Sequence, residues 1–461
     1  MSKLEVDKID PQSGTNLELG TSGDTVTIPT GVTLDASNAT TTLPSNIVTT
    51  DGSQTLTNKN IAASQLTGTV ATSNLGTGTA DSTTFLRGDQ TYASATPAAD
   101  SITTSQLAYN PNPFRNIIIN GDMSIAQRGT SETGITSGGY LTVDRQSFVI
   151  VNQGTFTMSQ ETDVPSGQGF TKSLKFNCTT ADASPTGTDR LYLSNRFEGQ
   201  NLQYLKKGTS NAESLTLSFW VKSNKTGTYI AELFDNDNTR QISQTYTINS
   251  SNTWEKKTLT YEGDTSGALD NDNNNSLELN LWFGGGSTFT GGTLNTSWNA
   301  NVNNKRASGV VNLADSTSNE WYITGVQLEA GTTASDFEFL PHDVNLQRCY
   351  RYCYRINGNS SDQQQCGAIG FANGGSTFNA MMRFSPDMRT APTVTEDNMS
   401  QTTTGSAISL TGTFDNSDTS DCNAAGLSFS ADSGTPFTVG NVMFPRVNTS
   451  TSAFIQFDAE L

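Results

Sequence analysis

Leu215-Thr-Leu-Ser-Phe-Trp-Val221, Ser223-Asn-Lys-Thr-Gly227 and Thr228-Tyr-Ile-Ala-Glu-Leu-Phe234 follow one another in the sequence. Apolar residues recur at every second position on both sides of a polar run ending in glycine. That is the period of half-buried strands joined by a turn. The same texture extends outward from Phe114 to about Leu340. Further strands are expected at Asn116–Asn120, Ser147–Val151, Ser173–Phe176, Leu191–Leu193, Gln244–Ile248, Trp254–Tyr261, Leu277–Phe283 and Trp321–Leu328. Short alternating strands with turn-rich gaps, such as Gly263-Asp-Thr-Ser-Gly267, predict a jelly-roll β-sandwich over residues 113–340.

Beyond it, Pro341-His-Asp-Val-Asn-Leu-Gln-Arg-Cys-Tyr350 reads as one or two helical turns with Asp343 as N-cap. The Arg–Tyr alternation that follows predicts a strand from about Tyr350 to Ile356. More strands are expected at Ala368–Phe371, Ala380–Phe384, Thr393–Thr395, Ile408–Thr413, Gly426–Ser430 and Phe454–Leu461, a smaller distal β domain over 341–461. On the other side, residues 1–112 differ in kind. Of the first 100 residues 22 are Thr, and Phe85 and Tyr92 are the sole aromatics there, out of 39 in the chain. Without large side chains this segment cannot bury enough surface alone to offset chain entropy. It still shows narrow apolar alternation at Leu4-Val6, Leu17-Leu19, Val26-Ile28 and Val32-Leu34, between turns at Ser13-Gly14 and Pro29-Thr-Gly31. Very short strands of this kind become stable when several chains share one thin core. The expected fold class is therefore all-β: a Thr/Gly-rich intertwined stem, a jelly-roll sandwich, then the distal domain.

Composition excludes several functions. The chain has 461 residues, 33% hydrophobic and 15% charged, with a net charge of −18. Both fractions are below the roughly 45–50% and 25% of average domains. Acidity without clustered Lys and Arg argues against nucleic-acid binding, and no apolar run approaches the length of a membrane span. The start, Met1 to Asp7, has neither the basic nor the apolar region of a secretory leader. Five scattered cysteines (178, 349, 353, 366, 422) do not resemble a disulfide framework, so buried, reduced thiols are expected.

Short motifs in order along the chain resemble bacteriophage tail fibres. Thr55-Leu-Thr-Asn-Lys-Asn-Ile61 with Leu66-Thr-Gly-Thr69, and Thr83-Thr-Phe-Leu-Arg-Gly-Asp-Gln-Thr-Tyr92, are similar to stem motifs of that class, the second usually ending in Trp. Asn116-Ile-Ile-Ile-Asn-Gly-Asp-Met-Ser-Ile-Ala-Gln-Arg-Gly129 and Trp321-Tyr-Ile-Thr-Gly-Val-Gln-Leu-Glu-Ala-Gly331 resemble the opening and closing of a carbohydrate-binding-module-like jelly roll. Leu346-Gln-Arg-Cys-Tyr-Arg-Tyr352 and Phe384-Ser-Pro-Asp-Met-Arg-Thr-Ala-Pro-Thr-Val394 resemble the distal domain of the same fibres. The resemblance implies a homotrimer in the virion, made in the host cytoplasm. Its N-terminus would sit on a tail tube, nozzle or adaptor protein, and its distal half would meet host surface polysaccharide, with no membrane insertion.

Chemistry is harder to seat. His342, the single histidine, lies in a domain junction, so no Ser–His or Cys–His mechanism is evident. A glycosidase needs two carboxylates roughly 5–9 Å apart, a spacing the sequence does not fix. No enzyme is expected; a glycan depolymerase and a purely structural adaptor are the alternatives. Sugar binding calls for a flat aromatic and planar polar groups. Trp298, in a Gly/Asn-rich loop, and Trp282, before Phe283-Gly-Gly-Gly286, are the candidates in the sandwich; Phe371 and Arg383 are those in the distal domain. The distal arginines 348, 351, 355, 383 and 389 could instead pair with Asp343, Asp362 and Asp387. Asp235-Asn-Asp237-Asn and Asp270-Asn-Asp272-Asn offer oxygen ligands of the type Ca²⁺ takes, although Asn and Asp are equally ordinary turn residues, the preferred reading. Asp122, with Asn120 and Glu329, is a third cation candidate on the resemblance alone.

Overall fold

The computed structural model describes residues 114–402, 404–414 and 422–461, together with short pieces of the N-terminal segment (22–25, 27–33, 84–86, 91–94, and 75, 77 and 79). The chain divides into two compact units, Met1–Thr96 and Pro97–Leu461. In the first, β1 (Thr84–Leu86) and β2 (Tyr92–Ser94) pair antiparallel, Phe85 opposite Ala93. This hairpin falls in the second stem motif. The first stem motif, and most of the alternation expected to build an intertwined stem, lie outside the described residues.

The second unit opens with the sandwich. Its strands are β3 (Ser131–Ile135), β4 (Gly139–Tyr140), β5 (Ser147–Val151), β6 (Thr155–Glu161), β7 (Ser173–Thr180), β8 (Arg190–Glu198), β9 (Leu215–Ser223), β10 (Gly227–Asp235), β11 (Arg240–Ile248), β12 (Glu255–Tyr261), β13 (Asn275–Gly285), β14 (Asn299–Ala300) and β15 (Glu320–Ala330). They form a seven-stranded sheet, β14-β11-β10-β13-β8-β5-β4, and a six-stranded sheet, β12-β9-β15-β7-β6-β3. From β7 onward the chain crosses repeatedly between them, β7, β9, β12 and β15 lying in the six-stranded sheet and β8, β10, β11 and β13 in the seven-stranded one, which gives the jelly roll. The two strands that opened the sequence reading do not pair with each other: β9 and β10 lie in opposite sheets, and β10 pairs with β11 and β13. The alternating residues Leu217, Phe219 and Val221 face Tyr229, Leu233, Leu279 and Leu281 across one fully buried core. Trp321 closes its centre, 4.4 Å from the Phe283 ring. Truncating such a side chain costs about 3–5 kcal/mol.

Asn116–Asn120 is not a strand. The Asn116 side chain takes the amides of Ile118 (3.0 Å) and Leu328 (3.1 Å) and donates to the Val326 carbonyl (3.0 Å). It thereby replaces the ladder bonds a strand would make. Asn120 and Met123 have left-handed backbones, φ 59° and 60°.

The helix His342–Tyr350 follows, longer than expected. Pro341 occupies the cap position and Asp343 the first turn, where its charge suits the helix dipole. After it come β16 (Cys353–Asn357), β17 (Gln364–Gln365), β18 (Ile369–Ala372), β19 (Thr377–Met388), β20 (Thr393–Asp397), β21 (Met399–Gln401), β22 (Ala407–Phe414), β23 (Cys422–Ala431), β24 (Val442–Met443), β25 (Pro445–Val447) and β26 (Phe454–Asp458). They make a three-stranded sheet, β16-β26-β20, and an eight-stranded sheet, β17-β25-β21-β22-β23-β19-β18-β24. Phe378, Phe429, Met382 and Phe457 fill the core between them, with Phe378 stacked on Phe429 at 5.0 Å.

The sandwich and the distal sheets belong to one unit because a buried ionic seam joins them. Glu198 receives both arms of Arg351 at 2.7 Å and the Tyr352 hydroxyl. Arg128 meets Asp458 (2.9 Å) and Glu460 (3.2 Å), and Arg145 binds Glu460 while lying 3.5 Å from the Tyr352 ring centre. Arg389 donates to the carbonyls of Asn273, Ala459 and Glu460. Arg351 and Arg389 thus reach across to the sandwich, Arg348 to the Asn116 carbonyl and Arg355 to the side-chain oxygens of Asn357 and Gln456, in place of the expected pairing with Asp343, Asp362 and Asp387. All five cysteines are buried.

Candidate functional site

Three surfaces carry the residues singled out in the sequence. The first is the outer face of the seven-stranded sheet. Alternation places Ile230, Glu232 and Phe234 of β10 there, beside Trp282 and Asn280 of β13 and Tyr192 of β8. Trp282 is 0% exposed, so it offers no platform to a sugar. Segment 286–311 lies over it: Phe289 packs at 5.3 Å and Ala307 and Leu294 complete a small second core. The Trp282 indole donates to Glu232 (3.0 Å), whose carboxylate also takes Arg306 through two bonds of 2.7 and 2.9 Å. Beside this pair, Gln241, Asn280, Ser194 and Asn295 each keep a buried polar atom with no protein partner, which makes the covered layer costly to keep dry.

The second surface is the edge where Trp298 sits. Its ring is half-buried against the sandwich core, its Nε1 donates to the Glu262 carbonyl (2.9 Å), and the Lys207 ammonium lies 5.0 Å from the ring centre. Here the sequence also offered candidate cation ligands, with ordinary turns as the preferred reading. The carboxylate of Asp235 is taken by Lys207 and Asn238 instead, and Lys207 lies 3.0 Å from Asp264. Burial acts to raise the Asp264 pKa, but the bonds from Arg240 and Lys207 outweigh it and hold the carboxyl below its ordinary value. A lysine therefore supplies the positive charge that Ca²⁺ would have brought. Asp237 accepts the Asp270 amide from the neighbouring loop (2.8 Å), and Asp272 accepts the Asn274 amide within its own turn (3.0 Å). Asp122 accepts from Ser124 and Asn345, while Asn120 and Glu329 bond elsewhere. Among the described residues no three His, Cys, Asp or Glu side chains converge on a metal position. The donors named in the sequence do not fit a calcium site.

The third surface is the outer face of the eight-stranded sheet. Phe371 of β18 stands opposite Asn379 of β19 and Val442 of β24, and Ile369 opposite Met381. Arg383 continues the same face of β19. Phe371 and Ile369 are 59% and 56% exposed, and Met381, Val442 and Phe444 are exposed too. Two predicted residues, Phe371 and Arg383, thus lie on one exposed face of the sheet, with the Ile369–Met381 pair between them. The sequence reading missed Ile369 and Met381. Their signal was there: Ile369-Gly-Phe371 puts large apolar groups on the strand positions opposite those of buried Ala368 and Ala372.

No protein-family model matches the chain, and no curated protein matches it. Solved structures similar to parts of it include the enzymatically active domain of tailspike protein 4 from bacteriophage CBA120 (15% identity, TM-score 0.26, 48% of this chain and 22% of that one). Another is a putative sugar binding protein from Bacteroides thetaiotaomicron (13%, 0.27, 47% and 99%). A third is a family 11 carbohydrate-binding module from Clostridium thermocellum in complex with a mixed-linked tetrasaccharide (11%, 0.22, 45% and 99%). The chain spans about a fifth of the tailspike it matches. No residue role follows from these likenesses. Among the described residues no helix is long and apolar enough to cross a membrane.

Proposed function

We propose that this chain is a receptor-binding protein of the tail-fibre class. On this reading it is a homotrimer that attaches to the phage tail by its N-terminal segment and binds host surface glycan through the distal domain, without cleaving it. The observation that carries the reading is the face holding Phe371 and Arg383. An exposed ring on a sheet can stack on the apolar face of a sugar, while the Asn379 amide beside it and the Arg383 guanidinium further along β19 suit hydroxyls and acidic groups. Several weak contacts of this kind, multiplied over a trimer, give avidity.

The test is binding of the full-length protein to host cells, with Phe371→Ala and Arg383→Ala beside the wild type. Loss of cell binding by both variants, with unchanged sedimentation, supports the reading. Unchanged cell binding, together with a fall from trimer to monomer, would assign the face to contacts between copies instead. Release of reducing ends from host polysaccharide would make the chain a depolymerase.

A further inference from the structure

A cavity of about 270 Å³ opens where the sandwich meets the helix His342–Tyr350. Four arginines line it, and three are committed: Arg145 to Glu460, Arg196 to Glu278 (3.4 Å) and Arg351 to Glu198. Arg348 is different. Its one hydrogen bond is a long one to the Asn116 carbonyl (3.4 Å), and among the described residues no carboxylate stands within ion-pair distance of it. Burial holds its guanidinium below the ordinary arginine value, and nearby groups, Glu338 among them, do not make up the loss. The cavity therefore keeps one unneutralised positive charge in a chain of net charge −18. Around it stand the exposed rings of Tyr204 and Phe114, 49% and 59% accessible, and the exposed amide of Asn201.

We propose that this cavity binds a carboxylated sugar residue, a uronate, with Arg348 taking the carboxylate and Tyr204 and Phe114 covering the sugar ring. Arginine's planar fork matches a carboxylate through two parallel bonds. The space is at the lower end of ligand pockets, about 300 Å³ and upward, which suits one monosaccharide unit. That the carboxylate is borne on a sugar rests on the glycan-binding reading above; the anion preference rests on the cavity alone.

The test is calorimetry of the full-length protein with glucuronate and galacturonate, against glucose, galactose and acetate. Uronates are expected to bind at least about tenfold more tightly than the neutral sugars and acetate. Arg348→Gln should remove that preference, and Tyr204→Ala should weaken uronates while leaving acetate unchanged. Equal binding of glucose and glucuronate, acetate binding as well as glucuronate, or an unaltered preference in Arg348→Gln would each overturn the assignment. The wild-type comparison needs no variant, so it stands even if Arg348→Gln misfolds. Uronate binding without any cell binding would sink the tail-fibre reading and keep the cavity; cell binding without uronate binding would do the reverse.

Discussion

The outer faces of the two large sheets carry similar ingredients. On the seven-stranded sheet Trp282 and Tyr192 stand beside Glu232 and Asn280; on the eight-stranded sheet Phe371 and Met381 stand beside Arg383 and Asn379. The first face is covered by segment 286–311 and pinned by the Glu232–Arg306 pair. The second has no such cover among the described residues, and its rings meet solvent. An aromatic on a strand is therefore buried in packing or left open to solvent according to what the chain lays over it. The strand pattern is the same in both.

The largest effect should come from opening the covered face. Glu232→Ala leaves Arg306 and Trp282 without their buried acceptor, a loss of about 3–5 kcal/mol. Thermal unfolding should show it, and acrylamide should begin to quench Trp282. An unfolding midpoint unchanged to within about 1 °C would mean that the ion pair does not hold the cover.

Phe371→Ala should do the opposite. Its stability should change by no more than about 0.5 kcal/mol, while cell binding falls about tenfold or more, as for a central aromatic anchor. Equal losses in stability and binding would erase the distinction between the faces.

Acidity sharpens the contrast from another side, through the buried seam. Burial raises the Asp144 carboxyl to about 6, with Arg128 and the bonds from Gln127 opposing it. The folded state therefore holds this proton more tightly than the unfolded chain. Its contribution to stability is full below the unfolded value near 3.9 and is lost as pH rises through 6. Glu255 works in the opposite sense. Burial is outweighed by bonds from Lys257, Ser250 and Asn249, which hold it at about 2, so its stabilisation is present above pH 4.5 and fades below it. Stability should rise by about 1 kcal/mol from pH 7 to 5 and decline under pH 4. Denaturant titrations at each pH check this, and Asp144→Asn should abolish the rise.

The smallest effect is expected at Trp298. Trp298→Phe removes the bond to the Glu262 carbonyl, about 1 kcal/mol at most, and should leave cell binding within about twofold of wild type. A loss matching that of Phe371→Ala would move the recognition surface to the sandwich edge.

Much of the fold was legible in the sequence because period-2 alternation marks strands wherever one side is buried. Leu215–Val221, Thr228–Phe234, Leu277–Phe283 and Trp321–Leu328 all lie within observed strands. Thr155–Glu161 was missed, since Thr and Ser dilute its alternation around Phe156 and Met158. Of the residues proposed for a site, the structure leaves Phe371 and Arg383 exposed and buries Trp282. Tyr204 and Phe114 were not singled out, because isolated aromatics in loops carry no periodic signal.

The sequence alone determined an all-β chain, rich in turns, whose first hundred residues lack the aromatics to fill a core. It did so because side-chain size and alternation act locally. Only the tertiary structure decided that β9 and β10 part into opposite sheets and that Lys207 stands on the Asp235 carboxylate, a candidate cation ligand. It also decided which aromatic faces solvent and that Arg348 makes no ion pair among the described residues. Those outcomes depend on residues far apart in sequence, since burial and charge pairing are properties of the packed whole.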